Sequence, residues 1–170
     1  MDQIALDGTL WVEEGRPYMI YCHEWVQVID GTMVLVELAA DLSIPAGNPL
    51  TLFHASAVGW STGSSHDNIP VKSYVTDGYF LYRTKTGKLL MIWSSFMNGE
   101  YAIGIAESVT GKIHGPWTQQ EKPLFTQNGG HGMIFRTFDG RLCMTFHRPN
   151  SPGGQERARI FELQDTGDTL

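Results

Sequence analysis

The sequence has few charged residues, an excess of acidic over basic ones, and no long apolar run. Among its 170 residues, 12 Lys and Arg stand against 18 Asp and Glu, so the formal net charge is −6. Nucleic acids and anionic membranes are usually bound through basic surfaces, and this acidic balance argues against either as the main partner. No apolar run approaches the roughly 18 residues that a membrane helix needs, so we expect no membrane partner.

Cysteine is scarce as well. Neither Cys22 nor Cys143 lies in a CxxC pair, which favours inert buried thiols over a disulfide or a metal site.

The first residues lack the basic and apolar regions of a signal peptide, so the sequence predicts no export signal of its own. Hydrophobic residues at 42% and aromatic residues at 11% are enough for a buried core, and the length predicts one domain.

The sequence does contain a repeat, set among 19 scattered glycines and 8 prolines that favour short strands joined by turns. Three stretches match, each with a polar residue, a glycine and then apolar residues of strand type: 7–12, 77–82 and 131–136. Each reaches a turn glycine, at Gly15, Gly87 or Gly140. A second strand-like run begins 11, 12 and 11 positions after the leading residue. Each unit is therefore predicted to be a β-hairpin of constant size.

The spacing of the hairpins predicts an all-β fold of the propeller type. Their leading residues are 70 and then 54 positions apart, which is a blade-sized period when loops are included. Further strands are predicted at 32–38 and 101–107, and the segments 55–73 and 108–129 are interpreted as long connections. The alternative is a small β-sandwich whose hairpins match by coincidence.

The innermost strands of propeller blades run along a shared axis, so the leading residues Asp7, Asp77 and His131 are predicted to converge. A single Asp-Gly or His-Gly pair is more often a simple turn former, but three in register favour an axial site. Two carboxylates and an imidazole at one place suit acid–base hydrolysis of a polar ligand. Burial and mutual repulsion would raise the pKa of one carboxylate and keep it protonated as a general acid.

Other side chains suit a sugar ligand. The aromatic rings of Trp25, Trp60 and Phe96 can stack on the apolar face of a sugar, and Arg148 can bind a hydroxyl or pair with a site carboxylate. Glu24, embedded among aromatic residues, is a rival general acid. His131 is a candidate metal ligand, although a lone histidine is more often a hydrogen-bonded structural residue. Packing roles are expected for Trp93 and Trp117, and core positions for Tyr18, Tyr21 and Phe146.

Four stretches together resemble glycoside hydrolase family 43 over nearly the whole chain: 6–21, 76–82 with 88–95, the loop 113–117, and Gly129-Gly130-His131-Gly132. The resemblance implies a five-bladed β-propeller that hydrolyses arabinosides, xylosides or galactosides with inversion. It implies that Asp7 tunes the pKa of the acid and that Asp77 is the general acid. It also implies that His131 holds a central calcium or sodium ion, usually through water.

The sequence departs from the family pattern in two ways. Asp77 is one methylene shorter than the family's Glu, which keeps Glu24 as the rival acid. The resemblance begins at the tuning Asp, so residues 1–170 are expected to be a partial propeller of about three blades, without the early blades and the catalytic base. Open blade edges would favour self-association. The resemblance implies a secreted or periplasmic parent enzyme, and the alternative is a non-catalytic carbohydrate-binding or assembly module.

Overall fold

The computed structural model describes residues 3–66 and 69–170, so that Met1, Asp2, Asp67 and Asn68 lie outside the description. Most of the described residues form antiparallel β-strands. The α-helix found among them is a single turn, α1 (Trp25–Val28), and a 3-10 turn covers Ala55–Ala57. Neither of these short segments is long and apolar enough to cross a membrane.

Three antiparallel sheets follow one another along the chain, each ordered as its strands occur in sequence. The first contains β1 (Ala5–Glu13), β2 (Arg16–His23), β3 (Thr32–Glu37) and β4 (Leu50–His54). A two-stranded hairpin follows, made of β5 (Ser64–His66) and β6 (Ile69–Ser73). The second sheet contains β7 (Asp77–Arg83), β8 (Leu89–Met97), β9 (Glu100–Ser108) and β10 (Trp117–Gln119). The third contains β11 (Gly130–Arg136), β12 (Leu142–His147) and β13 (Ala158–Glu162).

The first strand of each sheet lies beside the first strand of the next, because β1 contacts β7 and β7 contacts β11. The sheets are therefore successive blades around one axis. The predicted all-β propeller, with about three blades in this chain, is confirmed. The three hairpins also pair as predicted, β1 with β2, β7 with β8 and β11 with β12.

The structure also contains strands that the sequence did not predict. The hairpin β5–β6 and strand β10 lie within the two segments interpreted as connections, and β4 and β13 complete the first and third blades. These strands have only three to five residues, which is too short for an alternation of apolar and polar residues to identify them. Such short outer strands are defined by pairing with a neighbour rather than by their own pattern.

Strand β8 carries the packing between blades. Its side chains alternate between two cores: Met91 and Trp93 face the first blade, while Leu90 and Ile92 face the third. Burial on both faces explains why this strand is apolar at every position from 89 to 93. Trp93 and Trp117 are core residues as predicted, and both cysteines are buried and free.

Each axial strand is irregular at its leading residue. The pairing register shifts between Leu6 and Thr9 in β1, between Asp77 and Phe80 in β7, and between Gly130 and Met133 in β11. A bulge of this kind releases backbone groups from the ladder and redirects a side chain. Asp7 and His131 have φ values of 57° and 60°, in the left-handed region, so the bulges turn these side chains towards the axis.

Side chains from neighbouring blades bind the amides near these bulges. The amide of Thr9 donates to the Tyr79 hydroxyl at 2.9 Å, that of Gly78 to Asp7 Oδ2 at 3.3 Å, and that of His131 to Ser94 Oγ at 2.9 Å. Part-buried amides outside the ladder need such partners, and each of these three partners lies in a blade next to that of its donor. The bulges therefore tie the blades together at the place where the leading residues meet.

Candidate active site at the blade axis

Asp7, Asp77 and His131, which we call the axial site, lie together as the repeat predicted. The Nδ1 atom of His131 is 3.3 Å from Asp77 Oδ1, and its Nε2 atom is 3.7 Å from Asp7 Oδ1. A cavity of about 430 Å³ opens beside this cluster, and its lining includes Asp7, His131, residues 8–10 and residues 78–80, but not Asp77. The structure establishes this placement, while the chemical role of each residue remains a prediction.

Asp77 is held as a carboxylate. Burial alone would raise its pKa, but hydrogen bonds with His131, Asp7 and Tyr101 outweigh this effect and lower the pKa to about 2. The Tyr101 hydroxyl donates to Asp77 Oδ2 at 2.6 Å. Asp77 is therefore ionised at neutral pH in this arrangement, and it has no proton to give to a leaving group.

The pKa values of Asp7 and His131 are raised, whereas that of Asp77 is lowered. Burial and a hydrogen bond with Asp77 raise the pKa of Asp7, against the opposing effects of His131 and the Gly78 amide. The hydrogen bond with Asp77 raises the pKa of His131 despite its partial burial, and the charges of both aspartates add to the rise. His131 is thus poised to carry a positive charge between two acidic groups.

Glu24 lies at the same end of the blade as the axial site. It follows β2 directly, and its amide donates to the Ile4 carbonyl at 3.0 Å, next to the start of β1. Burial, followed by the charges of Asp77 and Asp7, raises the pKa of Glu24 to about 7. Within residues 3–66 and 69–170, its carboxylate has no hydrogen-bond donor.

The predicted sugar-binding residues lie at different places. Trp25 follows Glu24 as the first residue of α1 and is half-buried. The ring of Phe96 lies 5.2 Å from the ring of Tyr101, one side chain away from Asp77. Arg148 follows β12, where it donates to the Gln127 carbonyl at 2.9 Å and lies over the ring of Phe125. Its guanidinium is directed to the neighbouring loop.

The expectation that Trp60 stacks on a sugar at this site is wrong. Only 5% of its surface is exposed, because its ring packs 5.0 Å from that of Trp93 in the core between the first two blades. Sequence pattern alone could not separate a buried tryptophan from an exposed one in a connecting segment.

Two further residues complete the site. The sequence placed His147 at the loop end of a strand but gave it no role, and it gave no indication of Tyr101. Tyr101 holds Asp77, and the ring of His147 stacks on that of Tyr101 at 5.6 Å with an angle of 16° between their planes. The Nε2 atom of His147 lies 2.9 Å from Asn150 Oδ1, which fixes the ring. Tyr101 pairs with Phe96 across strands β8 and β9, so the predicted role of Phe96 could have pointed to Tyr101. That inference needs the register of the two strands, which the sequence does not provide.

The axial site suits a hard cation. One donor atom from each of Asp7, Asp77 and His131 lies within 4.8 Å of the other two. Calcium takes six to eight mostly oxygen ligands, and two carboxylates with an imidazole leave the remaining positions to water. A cation that His131 coordinates directly needs the neutral imidazole, because a protonated imidazole has no free lone pair.

The relationship of the chain to known proteins follows from its family match. Residues 1–165 match the family described as "Glycosyl hydrolases family 43". The chain belongs to this family. The axial cluster of Asp7, Asp77 and His131 is thus the part of a family-43 propeller where its blades meet.

Solved structures agree with this assignment. An endo-arabinase from Bacteroides thetaiotaomicron is 39% identical, with a TM-score of 0.87 over 95% of this chain. A thermostable family-43 glycoside hydrolase is 22% identical, with a TM-score of 0.76 over 98% of the chain. An endo-1,4-β-xylanase, also from B. thetaiotaomicron, is 20% identical, with a TM-score of 0.77 over 100% of the chain. The last two likenesses bear on the fold alone.

The chain spans 57% of the endo-arabinase chain and 58% of each of the other two. No curated protein sequence matches it.

Proposed function

We propose that this chain forms part of the active site of a glycosidase that hydrolyses arabinofuranosyl, xylosyl or galactosyl linkages of plant polysaccharides with inversion. The observation that carries the proposal is the meeting of Asp7, Asp77 and His131 at the heads of three successive axial strands, with Glu24 at the same end. The relative at 39% identity is described as an endo-arabinase, and this supports arabinofuranosyl linkages as the first substrates to test.

Glu24 is the proton donor in this proposal. A general acid must be protonated before the reaction and must give up its proton readily, so a pKa near neutral pH is favourable. Glu24 meets this condition, with a pKa of about 7, whereas Asp77 is ionised. The proton of Glu24 passes to the glycosidic oxygen as the bond between C1 and that oxygen breaks, and the leaving sugar departs as an alcohol.

Asp77 and Asp7 then act as fixed acidic groups beside the reacting sugar. Their charges, in addition to burial, help to keep Glu24 protonated. The Asp77 carboxylate can also stabilise the positive charge that develops on the sugar ring in an oxocarbenium-like transition state. The resemblance to the family gave the acid role to Asp77, and the shorter side chain with its strong hydrogen bonds supports this different assignment.

The water-activating base belongs to residues beyond this chain in our proposal. An inverting enzyme places its base about 6.5–9.5 Å from the acid, on the opposite face of the sugar, to leave room for water. Since the chain spans 57% of the related endo-arabinase chain, a remaining part of the propeller can supply that carboxylate.

A calcium or sodium ion fits the axial site, where Asp7, Asp77 and His131 would hold it directly or through water. When bound, such an ion supplies a fixed positive charge that can orient sugar hydroxyls. The chain's own part is to hold the two carboxylates and the imidazole at this position.

The test is hydrolysis by the full-length gene product that carries this chain. Linear arabino-oligosaccharides and xylo-oligosaccharides are incubated with the enzyme, and proton NMR records the anomer that forms first. We expect hydrolysis with inversion of the anomeric configuration. Saturable sugar binding without any hydrolysis would overturn the proposal and favour a non-catalytic carbohydrate-binding module.

A further inference from the structure

A second cavity lies on the outer side of the blades. It has a volume of about 760 Å³ and is lined by Phe53, residues 57–60, residues 117–119 and Glu121. This perimeter cavity lies between the outermost strands of the first two blades, β4 and β10. Each of these strands is three strand spacings from the axial strand of its sheet, about 14 Å. The perimeter cavity is therefore separate from the axial site.

Two hydrogen-bond donors in its lining have no acceptor. The indole nitrogen of Trp60 and the amide nitrogen of Gln119 are shielded from solvent and unpaired within the described part of the chain. Buried indole and amide groups usually find a partner, so two unpaired donors on side chains that line one cavity favour a ligand that offers acceptor oxygens.

Gln119 is held at one end only. Its Oε1 atom accepts a 2.9 Å hydrogen bond from the indole of Trp93. The amide nitrogen of the same group has no acceptor among the described residues, so it is available to a ligand that reaches this part of the lining. The exposed side chains of Thr118 and Glu121 flank Gln119 and add a hydroxyl and a carboxylate.

The composition of the lining suits a neutral sugar. Apolar walls from Phe53, Val58 and Trp117 combine with a few polar groups, which is the usual character of a small-ligand site of this volume. Unpaired donors need acceptor oxygens, and the exposed Glu121 carboxylate can accept hydrogen bonds from a ligand; sugar hydroxyls offer both acceptors and donors. The chain's net charge of −6 and the presence of Glu121 oppose an anionic ligand.

We propose that the perimeter cavity is a second carbohydrate site, which binds a neutral pentose unit of an oligosaccharide away from the axial site. The choice of pentose rests on the proposed function. Binding there would hold a polysaccharide chain on the enzyme without taking part in bond cleavage.

The experiment uses Gln119→Glu in the full-length gene product. This change keeps an oxygen for the Trp93 indole but removes the amide donors. Gln120→Glu is the matched control, because it adds the same charge at the next residue, outside the cavity lining. Arabinotetraose and xylotetraose are titrated while the indole N–H resonances are followed by NMR, with Trp60 assigned through a Trp60→Phe variant.

The titrations are made in a Glu24→Gln background so that bound sugar is not consumed. We expect the Trp60 resonance to shift saturably, the affinity to fall at least fivefold in Gln119→Glu, and Gln120→Glu to bind as the parent does. Oligogalacturonate, as an anionic probe, should leave the Trp60 resonance unmoved. A Trp60 resonance that does not move with either neutral sugar, or equal affinity in Gln119→Glu and the parent, would overturn the proposal.

A parallel assay separates this proposal from the proposed function. Gln119→Glu alone is tested on a small aryl arabinofuranoside, and we expect unchanged hydrolysis. If no variant hydrolyses any glycoside but the Trp60 resonance still responds to sugar, then the perimeter site stands and the proposed function fails.

Discussion

The hydroxyl of Tyr101 reaches across β8 to donate a 2.6 Å hydrogen bond to Oδ2 of Asp77. Tyr101 is almost completely buried, and burial together with the charge of Asp77 raises its pKa well above the ordinary value. The phenol therefore remains a neutral donor over the working pH range. This bond helps to fix Asp77 as an ionised group, which is why we assign the proton donor elsewhere.

Tyr101→Phe should weaken both the axial site and the fold. A hydrogen bond to a charged group contributes about 1.5–3 kcal/mol, so we expect a loss of unfolding free energy of that order and about a tenfold loss in kcat/KM. The matched control is Tyr82→Phe, which removes a 2.9 Å hydrogen bond to Asp165 outside the axial site. Urea unfolding measures the stability loss of each variant, and the assigned role would be contradicted if Tyr82→Phe lost as much kcat/KM as Tyr101→Phe.

The proton-donor role of Glu24 predicts the pH dependence of hydrolysis. Because the acid must be protonated, kcat/KM should fall about tenfold per pH unit above the pKa of Glu24, which is about 7. Glu24→Gln should lower kcat by about 10²–10⁴ and remove this alkaline limb. On aryl glycosides with good leaving groups, the loss of kcat in Glu24→Gln should be much smaller, since such leaving groups depart without being protonated. The control is Glu37→Gln, which alters a carboxylate paired with Arg16 and should leave both kcat and the alkaline limb unchanged.

Asp77→Asn distinguishes the two candidate acids. The Asp77 carboxylate raises the pKa of Glu24, so removing its charge should move the alkaline limb of kcat/KM to lower pH without abolishing it. If Asp77 were the acid, the limb would disappear in Asp77→Asn and persist in Glu24→Gln. A pH–rate profile of both variants decides between these outcomes.

The inner part of the fold could be predicted from the sequence because local chemistry determines it. Apolar runs of fixed length around turn glycines such as Gly15 and Gly87 are typical of β-hairpins. The short strand β10 could not be predicted, since it depends on pairing with β9. The repeat predicts that Asp7, Asp77 and His131 lie together, but it does not predict which of these groups is protonated. The low pKa of Asp77 depends on Tyr101 and His131, which only the folded chain brings to it.

Calcium should stabilise the protein through His131 more strongly as pH rises. The pKa of His131 is raised by Asp77 and Asp7, so below it a proton competes with the cation for this site. Without calcium, the protonated imidazole stabilises the fold below pH 6.5 or so, and this contribution is lost as pH rises through the raised pKa. Added calcium should offset that loss.

Thermal unfolding with calcium or a chelator, between pH 6 and 9, measures this effect. His131→Ala should abolish the calcium-dependent rise in Tm. His54→Ala, which removes another histidine near an aspartate, should retain it. A calcium effect that is the same at every pH, or that survives in His131→Ala, would exclude the axial site as the cation site.

Gly104→Ala should separate the first two blades. A Cβ atom at residue 104 would lie 2.1 Å from Cζ2 of Trp60, whose ring is confined by Trp93. Overpacking of this kind costs about 1–3 kcal/mol, which lowers Tm by about 2–4 °C per kcal/mol in a domain of this size. Gly59→Ala meets no atom within 4 Å and should change stability by less than about 0.5 kcal/mol.

A second substitution identifies the cause of any loss in Gly104→Ala. Trp60→Leu alone should be destabilising, since it removes a buried ring, but in the Gly104→Ala background it should cost less because it also relieves the clash. Additive losses in this double-mutant cycle would place the strain elsewhere. Trp60 also lines the perimeter cavity, so Gly104→Ala should weaken oligosaccharide binding there while Gly59→Ala, on the open side of the same cavity, leaves the Trp60 indole in place.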